Sequence, residues 1–290
     1  MNNILFSIIV VSYNAGDKLV NTIRSIKKQT FRDYEVIVKD AVSKDGCVQT
    51  LKEELKDWTI ADAGRVHIYQ EPDQGIYDGM NAAVKHAKGQ YLYFLNCGDE
   101  LASETTLEEI WKAIFEDKPT DAATTIALLA GTGATKALIY YGDVYDCLRA
   151  RKVPSNPKID DFACYRHVPC HQACLYDRSL FADRGYDTSY KVRADYEHFL
   201  WSYFEKKACP TYIPVTIASY EGGGFSETKE NRKISAKEHR EITAKYLPTR
   251  KRFTYRMIML LTLQPIRTWI AENRVLGAVY FKFKEAIYHR

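Results

Sequence analysis

Three polar segments stand where apolar runs end. Ser12-Tyr13-Asn14 closes the β-branched run Phe6 to Val11, and Asp40 closes Tyr34 to Val38 with Asp45-Gly46 close behind. Asn96-Cys97-Gly98-Asp99 closes Tyr91 to Leu95. Short uninterrupted apolar runs of this kind read as strands buried on both faces. Polar groups gathered at the carboxyl ends of parallel strands form the crevice in which an α/β domain holds its ligand, here a nucleotide. The stretch Glu71 to Asn81, with Pro72-Asp73-Gln74-Gly75 leading into Ile76-Tyr77-Asp78, adds a turn and a helix start on the same side.

The elements that must position these groups follow from periodicity. Leu19, Ile23 and Ile26 recur at helical spacing up to Gln29, a polar helix follows the loop Ala41 to Gly46, and the run Asp78 to Lys88 reads as a helix stopped by Gly89. With strands at Phe6 to Val11, Tyr34 to Val38, Val66 to Tyr69 and Tyr91 to Leu95, the first hundred residues alternate β and α. That alternation predicts an α/β domain with a mostly parallel sheet flanked by helices. Farther on, Ala137 to Tyr141 and Val215 to Tyr220 read as strands, Ala194 to Lys206 and Ala236 to Tyr246 as helices, and Val153 to His167 as a loop-rich insert. The expected division is a catalytic domain over 1–247, with nucleotide binding in 1–100 and acceptor binding in 101–247, and a basic amphipathic helical tail over 248–290.

Composition narrows the class. The 290 residues are 46% apolar and 13% aromatic, enough for a substantial core. From Pro248 onward nine Lys/Arg face two Glu, so the net charge of +4 divides into +7 on the tail and −3 on the rest. A body of that sign argues against nucleic acid as a partner. Seven cysteines without a basic leader before the first strand point to a reducing cytoplasm, and no run of about 18 apolar residues marks a spanning helix.

In their order and spacing the motifs resemble the family-2 glycosyltransferases, whose fold is the Rossmann-like GT-A fold. The resemblance rests on Ser7-Ile8-Ile9-Val10-Val11-Ser12-Tyr13-Asn14, Ser25 to Phe31, Tyr34 to Asp40, Ser43-Lys44-Asp45-Gly46 and Glu71 to Asn81, and it extends over roughly residues 5–226. It implies that Asp40 accepts a hydrogen bond from the base, typically uracil N3–H, and that the Ser12-Tyr13 turn packs on that base beside Asn14. It places Asp73 near the nucleotide and sugar, although Asp73 serving only its own Pro72–Gly75 bend stays open. Where many relatives carry Asp-x-Asp to hold a divalent ion, this chain has Asn96-Cys97-Gly98-Asp99, the form Phe-Leu-Asn-x-Gly-Asp of a branch seen in bacterial polysaccharide synthesis. Asp99 would then hold Mn2+ or Mg2+ as a lone carboxylate, with the diphosphate supplying other oxygens. The alternative is a cap on the following helix, for which Ser103 competes.

The same resemblance makes Asp195, in Val192 to Leu200, the base that takes the proton of the acceptor hydroxyl, with Glu197 as rival and an N-terminal helix cap as the structural alternative. His171, in Pro169-Cys170-His171-Gln172, matches a segment lining the acceptor side. Gly223, Gly224 and Ser226 match a loop that closes over the diphosphate, since glycine lets backbone N–H groups approach phosphate oxygens. The spacing of Cys164, His167, Cys170, His171 and Cys174 also invites zinc, but there is no paired Cys-x-x-Cys, and small buried thiols are the preferred reading.

The activity implied is inverting transfer of a sugar from a nucleoside-diphosphate donor, a UDP-sugar, to a hydroxyl of a glycan or lipid-linked oligosaccharide during cell-surface polysaccharide biosynthesis. A nucleotidyltransferase would need a glycine-rich basic loop after the first strand, and Ser12 to Asp17 is not one. A non-catalytic sugar-nucleotide-binding or scaffold subunit remains the rival, because Gly98 stands where the usual metal carboxylate would be. In the tail, Arg250-Lys251-Arg252 beside Phe253 to Leu261 suits an interfacial helix on the inner face of the cell membrane, or a helix packed on protein.

Overall fold

The computed structural model describes residues 4–116, 138–222, 228–263 and 270. The chain divides into two compact units, Met1–His239 and Arg240–Arg290. Among the described residues the first unit is built on one nine-stranded sheet in the order β3-β2-β1-β4-β8-β6-β9-β5, with β7 paired to β6. The strands are β1 Phe6–Ser12, β2 Tyr34–Asp40, β3 Val66–Gln70, β4 Tyr91–Phe94, β5 Glu100–Leu101, β6 Leu138–Asp146, β7 Arg151–Val153, β8 Cys174–Asp177 and β9 Cys209–Tyr220.

The four strands read from the first hundred residues are parallel, as expected: β1 pairs with β2 on one side and β4 on the other, and β2 pairs with β3. Beyond β4 the sheet is mixed. The strand β8 runs antiparallel to both β4 and β6, while β6 and β9 are parallel to each other. That reversal has a consequence for function, because residues just before β8 and just after β9 come to the same edge as the carboxyl ends of β1, β2 and β4.

Helices cover both faces. On one, α1 (Asp17–Lys27), α2 (Cys47–Lys56) and α5 (Thr106–Phe115) bury Leu19, Ile23, Ile26, Leu51, Leu107 and Ile110 against Phe6, Ile8 and Val10. A short α3 covers Ile60–Ala63. On the other, α4 (Ile76–Val84) packs on β1 and β2. Alternation of side chains along β1 explains the division, since Phe6, Ile8 and Val10 share one face and Ile9 and Val11 the other. Gly89 lets β4 start tightly against β1: a Cβ there would lie 2.5 Å from the Ser7 amide nitrogen.

The expected insert 153–167 contains a helix, α6 (Asp161–Arg166), whose cap Asp160 accepts from the Ala163 N–H at 2.8 Å. The remaining helices are α7 (Ala194–Phe204), α8 (Lys229–Tyr246) and α9 (Thr249–Leu261). No residue of α9 is buried, and Phe253, Leu260 and Leu261 are more than half exposed. No helix among the described residues is long and apolar enough to cross a membrane.

Candidate active site

The crevice lies between β1 and β4, where the strand order turns from β3-β2-β1 to β4. Register sets its floor, because Ser12 lies opposite Asp40 in the β1–β2 ladder. Asp40 is fully buried, and its oxygens accept from the Ser43 N–H at 2.8 Å and the Ser43 hydroxyl at 2.5 Å. Beside it, Val42 is held at φ 59°, a conformation that a β-branched residue rarely adopts. Asn14 ties two loops together, donating its N–H to Ser43 Oγ and accepting the Lys44 N–H on its side chain. Asp45 does the same from the other side, accepting from the Gly16 N–H at 2.8 Å and the Cys47 N–H at 3.1 Å, and the Cys47 thiol, then these two N–H groups, hold its carboxyl below the usual range. Ser12 is buried with its hydroxyl 3.8 Å from the Cys47 sulfur, whereas Tyr13 is 69% exposed.

Asp73 has a second partner that the sequence did not disclose. Its carboxylate pairs with the fully buried ammonium of Lys39, which also donates to the Glu71 carbonyl at 2.8 Å. The bend reading holds as well, since Asp73 accepts from the Gly75 N–H at 3.1 Å.

At the end of β4 the polar groups form two connected sets. Asn96 Nδ2 lies 3.1 Å from His171 Nε2, and His171 Nδ1 lies 3.3 Å from Asp195 Oδ2. The Tyr77 hydroxyl lies 2.9 Å from Asp195 Oδ1 and 2.8 Å from the Val192 carbonyl. Burial pushes the Asp195 carboxyl up, but the His171 imidazole and the Tyr77 hydroxyl outweigh it and hold the group below the usual carboxylate range. Tyr77 in turn is pushed well above the ordinary phenol range by burial and by that carboxylate, so it stays a donor. The arrangement is a carboxylate kept ionised at neutral pH, fixed from two sides and still 24% exposed.

Asp195 is the second residue of α7, whose cap is Arg193 with no side-chain cap bond. The start of the helix is fixed by Glu238 of α8, which accepts from the N–H groups of Lys191, Val192 and Arg193 at 2.7, 3.0 and 2.9 Å. Glu197, the rival base, is fully buried and paired with Arg184 at 2.6 Å, away from Asp195. Neither Tyr77 nor Glu238 stands out in the sequence as a site residue. Tyr77 lay inside the Glu71 to Asn81 motif, and Glu238 carried no local signal.

The second set surrounds Asp99, which is 7% exposed. Gln172 Nε2 donates to its Oδ2 at 3.0 Å and the Glu221 N–H to its Oδ1 at 3.1 Å. Burial raises its carboxyl pKa, so a cation arriving here relieves a cost. It does not cap α5: Thr105 stands at the cap without a side-chain cap bond, and the Leu107 N–H of the first turn donates to Gln29 Oε1 at 3.0 Å. The donor set fits a divalent ion that takes one protein carboxylate and draws its other oxygens from phosphate and water, and not a protein-built cage. Among the described residues no group of three His, Cys, Asp or Glu side chains converges on one point. Gly223, Gly224 and Ser226 lie outside the described residues.

Residues 7–183 match Glycosyl transferase family 2. The chain belongs to that family. A PGL/p-HBAD biosynthesis glycosyltransferase of Mycobacterium bovis (strain BCG / Pasteur 1173P2) is 31% identical to this family-2 glycosyltransferase over 269 residues, covering 91% of both chains. A protein of Mycobacterium tuberculosis (strain ATCC 25618 / H37Rv), described as an uncharacterized glycosyltransferase, is 30% identical over 214 residues, 73% of this chain and 71% of that one. Solved structures share the fold. S. aureus TarS 1–349 in complex with UDP-GlcNAc superposes with a TM-score of 0.57 at 17% identity, covering 87% of this chain and 70% of that one. The mannosyltransferase PcManGT of Pyrobaculum calidifontis, in complex with GDP-Man and Mn2+, gives 0.55 at 14% identity, covering 98% and 80%. The GT-A-type α/β fold and the class of glycosyltransferase follow.

Proposed function

We propose that this glycosyltransferase moves one sugar, with inversion, from a UDP-sugar to a hydroxyl of a glycan or lipid-linked oligosaccharide in cell-surface polysaccharide synthesis. The observation that carries the reading is Asp195, an ionised and partly exposed carboxylate clamped by Tyr77 and His171 at the crevice. In the step it serves, the acceptor oxygen attacks the anomeric carbon, the bond from that carbon to the diphosphate breaks, and the acceptor proton passes to Asp195. A single base on the face opposite the leaving group gives inversion. Tyr77 and His171 fix the direction of both carboxylate oxygens, and Asn96 fixes the imidazole from behind. A positioned base of this kind contributes about 10²–10⁴-fold.

On the donor side Asp40 reads the base once Ser43 yields one of its oxygens, and exposed Tyr13 covers the ring. Asp99 would hold Mn2+ or Mg2+, which would supply positive charge against the diphosphate. The TarS complex with UDP-GlcNAc supports a uridine donor. The relative named for PGL/p-HBAD biosynthesis supports a glycolipid-like acceptor. The exposed apolar residues of α9 beside Arg250 and Arg252 support work at the inner membrane surface.

Replacing Asp195→Asn tests the base. The variant is expected to bind UDP as the parent does, with the same thermal shift, and to lose transfer by at least about a hundredfold. Transfer at near the parental rate would overturn the assignment.

A further inference from the structure

Position 98 carries glycine at φ 97°, and the space above it is already filled. A Cβ built there would lie 3.0 Å from Glu221 Oε2, 3.3 Å from Lys18 Cδ and 3.7 Å from Lys18 Nζ. The ion pair between Lys18, in the first turn of α1, and Glu221, just past β9, therefore stands over the residue before Asp99. Both a left-handed backbone and this pair oppose a carboxylate side chain at 98, and an ammonium group occupies the place instead.

We propose that Lys18 is a diphosphate-binding residue of the donor site, and that Glu221 is the counter-ion it exchanges for the donor's phosphates. The proposal rests on the nucleotide-sugar reading above. Lys18 and Glu221 are 54% and 56% exposed, so their pair is screened by water and is easily exchanged. A diphosphate offers several charged oxygens where Glu221 offers one carboxylate, and each of those oxygens can accept a charge-assisted bond from the ammonium. Lys39, the lysine at the end of β2, is not available for this, since it is buried against Asp73. The positive charge that the diphosphate requires is thereby divided between an ion on Asp99 and a lysine that belongs to the chain itself. Glu221 ties the two together, because its N–H holds Asp99 Oδ1 while its carboxylate holds Lys18.

The test is binding to the full chain, measured by calorimetry for uridine, UMP and UDP and for guanosine, GMP and GDP, each in EDTA and in Mn2+. The proteins are the parent, Lys18→Met and Glu221→Gln, with circular dichroism as the check on folding. In EDTA, Lys18→Met is expected to weaken the diphosphate by about tenfold and to leave the nucleoside unchanged, with a shallower salt dependence. Glu221→Gln, which frees the lysine, is expected to tighten the diphosphate. Equal diphosphate affinity in Lys18→Met and parent would overturn the proposal, as would an equal loss for nucleoside and diphosphate. A parent that binds neither series overturns the donor reading itself, which is a different result from a parent that binds and a variant that binds equally well.

Discussion

Removing the Asp73 carboxylate separates a donor-contact role from a supporting one. In Asp73→Ala the Lys39 ammonium stays fully buried and keeps only the Glu71 carbonyl at 2.8 Å. Stripping one partner from a buried pair costs about 3–5 kcal/mol, because the surviving charge has no water to return to. The retained carbonyl puts this case near 3 kcal/mol, about 6–12 °C in melting temperature for a domain of this size. Urea denaturation followed by tryptophan fluorescence measures it, and Lys39→Met with Asp73→Ala completes the cycle. The double variant has no buried charge left and is expected to recover most of the loss. A single variant within about 1 kcal/mol of the parent, or a double variant as unstable as the summed singles, would refute the reasoning. If Asp73→Ala is stable but binds UDP more weakly, Asp73 serves the donor directly.

Other perturbations probe other parts of the molecule. His198 is fully buried, stacks on Phe181 at 4.1 Å, and has no hydrogen-bond partner at either ring nitrogen among the described residues. Burial, with Arg184 nearby, lowers its pKa from 6.5 to about 3. Between those values the unfolded chain takes up a proton that the folded one refuses. Stability is therefore expected to fall by about 1.4 kcal/mol per pH unit on acidification through that window, and His198→Phe should remove this part of the slope in urea titrations at successive pH values. Glu238→Ala leaves three N–H groups ahead of Asp195 without their acceptor, which is expected to cost about 1–3 kcal/mol and to lower kcat more than it changes the donor Kd. Truncation after Leu247 is expected to release the protein from a membrane fraction, and unchanged partition would remove the membrane role of α9.

The first four strands were legible because each is a short apolar run with polar punctuation, and a run buried on both faces has little else it can become. The later strands were legible only in part, as the start of β6 and the end of β9. Sequence marked only Val215 to Tyr220 of β9, since Pro210 and Pro214 argue against an inner strand. The sheet accommodates Pro214 in a bulge, where the pairing steps from Tyr141–Tyr212 to Asp143–Thr216. Gly142 stands opposite that bulge, and a Cβ there would meet the Val215 carbonyl oxygen at 2.3 Å. The proline and the glycine are two halves of one irregularity, 72 residues apart, so no local window contains both.

The same distinction governs the site. Residues on β1, β2 and β4 reach the crevice through strand order alone, and a reading of strand ends finds them. His171 and Gln172 reach it only because β8 runs antiparallel to β4, which brings the residues before β8 to the end where β4 finishes. Strand direction depends on which neighbour a four-residue segment finds, and Cys174-Leu175-Tyr176-Asp177 carries no signal for that. Once the direction is known, the roles follow. His171, in the segment that matches an acceptor-side lining, braces Asp195, and Gln172 braces Asp99. One turn of 3₁₀ helix thus holds Asp195 with its first residue and Asp99 with its second. A shift of that turn would therefore disturb both halves of the transfer together.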